Sequence, residues 1–157
     1  MDKENLMRKI ASFEIDHDNL EPGFYVSRID GDIVSYDLRM YKPNEGTYLD
    51  NASMHTIEHT IATILRNSEQ SENVIYFGPM GCRTGYYLLL RDELGRQEAL
   101  DLIKYGLEEL VNFSGEVPGS KRAECGNYLN HDLPAAKKEA QRMLDILEDY
   151  TVEEMDY

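Results

Sequence analysis

The segment that most constrains the fold spans residues 51–65, because its apolar and polar side chains separate onto two faces when it is placed on a helix. The apolar face carries Met54, Ile57, Ile61, Ile64 and, at its margin, Leu65. The polar face carries His55, Glu58, His59 and Ala62. The pattern predicts an amphipathic helix that packs on a core through one face and is capped at its start by Asn51 or Ser53.

His55 and His59 lie four residues apart on the polar face. On a helix their side chains stand one above the other, about 5–6 Å apart at Cβ. Two imidazoles at this spacing, with the carboxylate of Glu58 beside them, are typical ligands of a divalent transition metal. The pair taken alone is equally consistent with two ordinary surface histidines. The carboxylate and the two cysteines of the chain favour the metal site.

Composition predicts one globular domain, since 157 residues can bury a core without disulfides. The net charge of −14, from 16 basic and 30 acidic residues, argues against nucleic acid or an anionic membrane as a partner. No apolar run is long enough to span a bilayer, and the first residues lack the pattern of a signal peptide. We therefore expect a cytoplasmic protein whose cysteines stay reduced.

Periodicity along the chain predicts helices separated by strands that are mostly joined by hairpins. The predicted elements are a helix over 3–10, an extended segment over 12–17, a hairpin over 24–41 turning at Asp30-Gly31, strands over 74–77 and 85–90, and helices over 95–112 and from Pro134. This order indicates an α+β fold, in which an antiparallel sheet carries helices on one face in two layers. The tyrosine-rich second face is a candidate dimer surface. The acidic residues at the end of the chain are expected to be solvated or frayed.

The two cysteines both border glycine. Cys82 follows the turn of residues 78–81, and Arg83 beside it favours the reactive thiolate. An inert, buried cysteine is the alternative. Cys125 lies next to Gly126 in a loop-like segment. Either cysteine can complete a three-ligand site with the histidine pair, and three protein ligands leave the open position that is typical of a catalytic metal.

Two other metal proteins remain consistent with this pattern. His55-Thr-Ile-Glu-His59 also matches the signature of the inverted zincin peptidases, in which the glutamate activates metal-bound water and a downstream acid is the third ligand. Glu124 would take that place here, although the chain is short for that architecture and both cysteines would be unused. A metal-storage or sensing module would instead have a closed site of four ligands, with Cys82 among them.

Several longer blocks of sequence occur in a fixed order. They are Ser12-Phe-Glu-Ile-Asp-His17, Tyr36-Asp-Leu-Arg-Met40, His55-Thr-Ile-Glu-His59, Pro79-Met-Gly-Cys-Arg-Thr-Gly-Tyr86, Cys125-Gly-Asn-Tyr128 and His131-Asp-Leu133. Together they resemble the S-ribosylhomocysteine lyase family, whose members make the precursor of autoinducer-2. The chain departs from the family pattern at residues 1–11, an N-terminal extension, and at Tyr76, where many members carry aspartate. Residues 1–157 are thus expected to form one such domain, with an acidic tail over about 151–157.

The resemblance implies a homodimer of α+β subunits with both active sites at the interface. It implies one divalent metal per subunit, Fe(II) replaceable by Zn(II) or Co(II). By the match, the metal ligands are His55, His59 and Cys125, the proton carriers are Cys82 and Glu58, and the substrate-binding residues are Ser12, His17 and Arg39. Without the resemblance, Ser12 would be interpreted as a helix C-terminal or turn residue, His17 as a loop histidine and Arg39 as a surface charge on a strand. His131 is expected to make a structural hydrogen bond rather than to bind the metal.

The implied reaction cleaves S-ribosylhomocysteine to homocysteine and 4,5-dihydroxy-2,3-pentanedione. The opened sugar presents an aldehyde, and a metal with an open position polarises its carbonyl. Moving the carbonyl from C1 to C2 and then to C3 takes protons off one carbon and places them on its neighbour, which requires positioned acid–base groups. With the carbonyl at C3, the C–S bond is β to it and homocysteine leaves by elimination.

Overall fold

The computed structural model describes residues 6–157, which form a four-stranded antiparallel sheet in the order β1-β2-β4-β3 together with helices. The strands are β1 (Gly23–Asp30), β2 (Ile33–Arg39), β3 (Val74–Pro79) and β4 (Gly85–Arg91). The helices are α1 (Ala11–Glu14), α2 (Asn51–Arg66), α3 (Arg96–Asn112) and α4 (Leu133–Leu147), with 3₁₀ turns at Ser71–Asn73 and Val152–Glu154. The predicted α+β class is confirmed. None of the helices in residues 6–157 combines the length and the apolar character needed to cross a membrane.

The hairpin of β1 and β2 sets the register of the sheet. Asp30 pairs with Ile33, which leaves Gly31 and Asp32 as the two-residue turn. Gly31 has a φ of 61°, in the left-handed region that glycine adopts without steric cost. The predicted hairpin is therefore confirmed, with its turn one residue later than the Asp30-Gly31 pair.

The two faces of the sheet differ in what covers them. Along β2, Val34, Tyr36 and Leu38 belong to the core, which they share with the buried faces of α2, α3 and α4. Because successive strand residues point to opposite faces, the intervening Ser35, Asp37 and Arg39 lie on the other side. We call this side, opposite α2, the far face. The helices thus cover one face of the sheet, as the two-layer prediction requires.

The N-cap of helix α2 is neither of the predicted residues, Asn51 and Ser53. Asp50 is the N-cap residue, and one of its carboxylate oxygens accepts a hydrogen bond from the Ser53 amide at 2.9 Å. Hydrogen bonds from Ser53 lower the pKa of Asp50 below its ordinary value. A charged carboxylate caps well here because it also interacts favourably with the positive end of the helix dipole.

The region before β1 differs from its prediction. Residues 12–17 were expected to be extended, but Ala11–Glu14 form one helical turn in which the Phe13 amide donates to the Ile10 carbonyl at 3.0 Å. An alternating pattern alone does not produce a strand, because an extended segment needs a neighbouring strand for its backbone hydrogen bonds. The helix predicted over residues 3–10 begins outside the described residues, and residues 8–10 have no regular structure.

The end of the chain is packed rather than frayed, whereas its acidic side chains Glu153, Glu154 and Asp156 are exposed, as the solvated alternative predicts. The Val26 amide of β1 donates to the Met155 carbonyl at 2.8 Å, and Met155 is fully buried. Tyr157 stacks on Tyr25 with 5.2 Å between ring centroids, and its hydroxyl donates to Asp37 at 2.7 Å. The apolar and aromatic residues within this acidic segment provide the packing that its charges alone would not.

Candidate active site

Four side chains in the described part of the chain form a cluster suited to a metal ion. His55, His59, Cys125 and His131 each place one potential ligand atom within 4.8 Å of the others. The two histidines of the predicted pair come from α2, whereas the cysteine and the third histidine come from the loop before α4. Cys125 Sγ lies 3.4 Å from His55 Nε2. Neighbouring ligands of a tetrahedral ion with nitrogen and sulfur donors are about 3.5 Å apart, so this spacing fits.

Backbone carbonyls fix the orientation of both helix histidines. His55 Nδ1 lies 2.8 Å from the Asn130 carbonyl, and His59 Nδ1 lies 2.9 Å from the Pro118 carbonyl. A carbonyl can only accept, so each Nδ1 carries a hydrogen, and in the neutral ring Nε2 then keeps its lone pair. This neutral tautomer is the form in which histidine binds a metal. The same loop carries Gly119, with a φ of 66°, where a Cβ atom would come within 3.0 Å of His59 Nδ1.

His131 does more than the sequence predicted. The expected hydrogen bond is present, since its Nδ1 lies 3.0 Å from Thr56 Oγ1. Its Nε2, however, is buried without a hydrogen-bond partner among residues 6–157, and its ring stacks on His55 at 4.1 Å. Burial, with added repulsion from His55 and His59, lowers the pKa of His131. An unpartnered buried nitrogen beside two further imidazoles and a thiol gives a set of donors suited to a divalent transition metal.

Glu58 lies at the edge of this cluster. One of its carboxylate oxygens is 3.9 Å from His59 Nε2, and its side chain is 30% exposed. It lines a groove together with His59, Tyr76 and Gly119. A carboxylate in this place can exchange protons with a molecule bound at the cluster.

A second group contains Cys82 and lies around Arg39 of β2. Cys82 Sγ is 3.1 Å from Thr84 Oγ1, and Arg39 Nη1 donates to that same oxygen at 2.8 Å. Arg39 also donates through Nε and Nη2 to both carboxylate oxygens of Asp37, at 3.1 and 2.6 Å. Burial works to lower the pKa of Arg39, but the hydrogen bonds and charge of Asp37 outweigh it and raise that pKa. Neither Thr84 nor Asp37 was predicted to have a role.

Arg83, expected to favour the thiolate of Cys82, points elsewhere. Its guanidinium lies over the ring of Tyr48 at 5.7 Å and reaches the Leu49 carbonyl at 3.5 Å. The positive charge connected to Cys82 is that of Arg39, through Thr84. The register explains this, because Arg39 pairs with Gly85 and so lies beside the residue before it.

The other two predicted substrate residues make no hydrogen bond to either group within residues 6–157. Ser12 lines a groove on the far face with Ser35, Tyr76 and Tyr87. His17 Nδ1 lies 2.8 Å from the Ile15 carbonyl, to which it donates. Within residues 6–157 no hydrogen bond joins either residue to the histidine–cysteine cluster. Tyr76 lines both this groove and the one that contains Glu58.

The fold and this site are those of an α+β protein with a candidate metal site and a carboxylate at its edge. The model of the S-ribosylhomocysteinase (LuxS) family matches residues 10–154, and the chain belongs to that family, as its sequence blocks indicated. Similar proteins named S-ribosylhomocysteine lyase include those of Borrelia garinii subsp. bavariensis, at 46% identity, and Clostridium acetobutylicum, at 42%. The match with each covers 96% of this chain and 99% of the relative. The lyase of Phocaeicola vulgatus is 44% identical, over 96% of this chain and 98% of its own.

Proposed function

We propose that this protein cleaves S-ribosylhomocysteine to homocysteine and 4,5-dihydroxy-2,3-pentanedione with one divalent metal per subunit. The observation that carries the proposal is the cluster of His55, His59 and Cys125, with both histidines fixed as metal-binding tautomers and Glu58 at its edge. A metal bound there supplies Lewis-acid polarisation of the sugar carbonyl. The family resemblance implies Fe(II) as the native ion, with Zn(II) or Co(II) able to replace it, and a site of imidazoles and a thiolate is compatible with such ions.

The proton transfers fall to Glu58 and Cys82. In each carbonyl migration one of these groups takes a proton from the carbon beside the carbonyl, and a proton is returned to the old carbonyl carbon. Two such migrations carry the carbonyl from C1 through C2 to C3 without net oxidation. Removal of a proton from C4 then forms the C4–C5 double bond and expels the homocysteine sulfur, which takes up a proton. The resulting enol tautomerises to the dicarbonyl product.

We also propose that the protein is a homodimer whose active sites lie at the interface. Arg39 is on the far face, whereas His55 and Glu58 are on α2, which packs on the opposite face, so the sheet separates the two groups within one copy. Exposed apolar side chains support an interface: Ile10, Phe13 and Ile29 are 54%, 65% and 65% exposed. Each site would then combine the cluster and Glu58 of one copy with the Cys82 group of the other.

Ser12 and His17 are proposed to bind the polar ends of the substrate, because their side chains can hydrogen-bond a ribose hydroxyl or a carboxylate. The predicted substrate contact of Arg39 stays a prediction, since the residue is 1% exposed and already bonded to Asp37 and Thr84. The hydrogen bond from Arg39 to Thr84, which also contacts Cys82, supports a role for Arg39 that acts through Cys82.

A reducing, cytoplasmic location is supported by Cys82 and Cys125, both of which are free. The net charge of −14 supports a small-molecule partner rather than nucleic acid. A site that combines one metal, one carboxylate and one thiol is also suited to reactions of a small, sugar-derived substrate.

The direct test is the reaction itself. Metal-loaded protein given S-ribosylhomocysteine without oxygen should release homocysteine thiol and an equal amount of dicarbonyl, which an aromatic 1,2-diamine traps. As a control, Glu58→Gln should keep its metal and lose thiol release by roughly 10²–10⁴-fold. An inverted zincin peptidase would instead cleave peptides and leave the thioether intact. Metal-replete protein that releases no thiol would reject the proposal.

A further inference from the structure

We propose that Thr84 is a positioning residue, whose hydroxyl holds the sulfur of Cys82 and couples it to the buried pair of Arg39 and Asp37. The inference rests on the proton-carrying role proposed for Cys82. It concerns a residue that touches neither the metal cluster nor, by its burial, an incoming ligand, since Thr84 is 2% exposed.

The direction of the hydrogen bonds follows from the chemistry of the partners. A guanidinium can only donate, so the bond from Arg39 Nη1 at 2.8 Å occupies a lone pair of Thr84 Oγ1. The hydroxyl hydrogen of Thr84 must then point away from Arg39. Cys82 Sγ lies 3.1 Å from the same oxygen and can accept that hydrogen. A hydroxyl that donates to an ionised sulfur makes a charge-assisted bond, which is stronger than its neutral counterpart.

Arg39 is itself held firmly in place. Two of its nitrogens bond both carboxylate oxygens of Asp37, the bidentate arrangement that fixes a guanidinium most strictly. Asp37 also accepts the hydroxyl of Tyr157, whose ring stacks on Tyr25. A continuous series of hydrogen bonds therefore runs from Tyr157 through Asp37, Arg39 and Thr84 to Cys82.

This series compensates for the exposure of Cys82. The cysteine is solvent-exposed and precedes Arg83, which has a φ of 62°, in the turn between β3 and β4. A free side chain there would move among rotamers, and proton transfer to carbon requires a fixed distance. The hydroxyl of Thr84 holds the sulfur of Cys82 in one position. The same hydroxyl links that sulfur to the buried, positively charged guanidinium of Arg39.

The test compares Thr84→Val, which replaces the hydroxyl by a methyl group of similar size, with Thr84→Ser, which keeps it. The probe is iodoacetamide, and peptide mass spectrometry follows alkylation of Cys82 and, as an internal reference, of Cys125. We expect the valine variant to alkylate Cys82 roughly tenfold more slowly, as the loss of one hydrogen bond to a charged group predicts, and the serine variant to alkylate it at the rate of the parent. Alkylation of Cys125 should not change in either variant. An unchanged Cys82 rate in folded Thr84→Val would overturn the inference.

Two further readouts separate positioning from a purely structural role. In the thiol-release assay Thr84→Val should lower kcat and leave KM nearly unchanged, and Thr84→Ser should restore kcat. If the valine variant does not fold, Tyr157→Phe breaks the series at its far end and should slow alkylation of Cys82 by about twofold; no slowing would reject the coupling. If Thr84→Val slows alkylation of Cys82 as expected but the parent protein releases no thiol, the proposed function alone is rejected.

Discussion

Replacing Cys82 by alanine is expected to reduce thiol release from S-ribosylhomocysteine by roughly 10²–10⁴-fold while the metal stays bound, because an acid–base group is lost and no ligand is. The structure supports this separation of roles. Cys82 Sγ is hydrogen-bonded to Thr84, whereas the ligand atoms of the cluster come from four residues, Cys125 and three histidines, and not from Cys82. The measurement pairs a thiol-release assay with elemental analysis of the same preparation.

Two outcomes would contradict the role given to Cys82. Turnover at the parental rate would show that the thiol carries no proton in the reaction. Loss of the metal together with the activity would place Cys82 among the ligands, as a closed four-ligand storage site requires.

Replacing Cys125 by alanine is expected to remove the metal, and with it all thiol release. Cys125 contributes the only thiolate among the three proposed ligands, and its sulfur lies 3.4 Å from His55 Nε2. Loss of even a hydrogen bond to a ligand typically weakens metal binding 10–100-fold, so loss of the ligand should weaken it by roughly 100-fold or more. Competition with a chromophoric chelator measures the change.

Glu124→Ala is the matched control for Cys125→Ala. Glu124 is the neighbouring residue, is exposed, and lies 3.3 Å from the Lys121 amide, from which it accepts a hydrogen bond. The lyase proposal predicts that this variant keeps the metal. The inverted zincin alternative, in which an acid is the third ligand, predicts the reverse pattern. Retention of metal by Cys125→Ala and its loss from Glu124→Ala would therefore contradict the proposed ligand set.

The parts of the fold that follow from local periodicity were predictable. Helix α2 and the hairpin around Gly31 lie where their patterns placed them, because the spacing of apolar residues and the turn dipeptide act over a few positions. The packed tail was not predictable in this way. Tyr157 is 120 positions from Asp37, its hydrogen-bond partner, and no local pattern encodes such a contact.

The residues of the site also differ in whether local sequence patterns could identify them. The spacing of His55 and His59 suggested two ligands directly, whereas Cys125, 70 positions from His55, was singled out from Cys82 only by the family resemblance. His131 was not predicted to be a ligand because it lies outside the ligand set that the resemblance implies; the folded loop before α4 places its ring against His55. Thr84 became significant only once the pairing of β2 with β4 placed it beside Arg39.

Subunit exchange tests the composite site most directly. Equal amounts of Cys82→Ala and Glu58→Gln protein, each inactive alone, are mixed, exchanged and checked for mixed dimers by native mass spectrometry. If each site draws Cys82 from one copy and Glu58 from the other, half of the dimers are mixed and each of these holds one intact site, so thiol release should return to about one quarter of the parental rate. No recovery in a sample that contains mixed dimers would show that both residues act within a single copy.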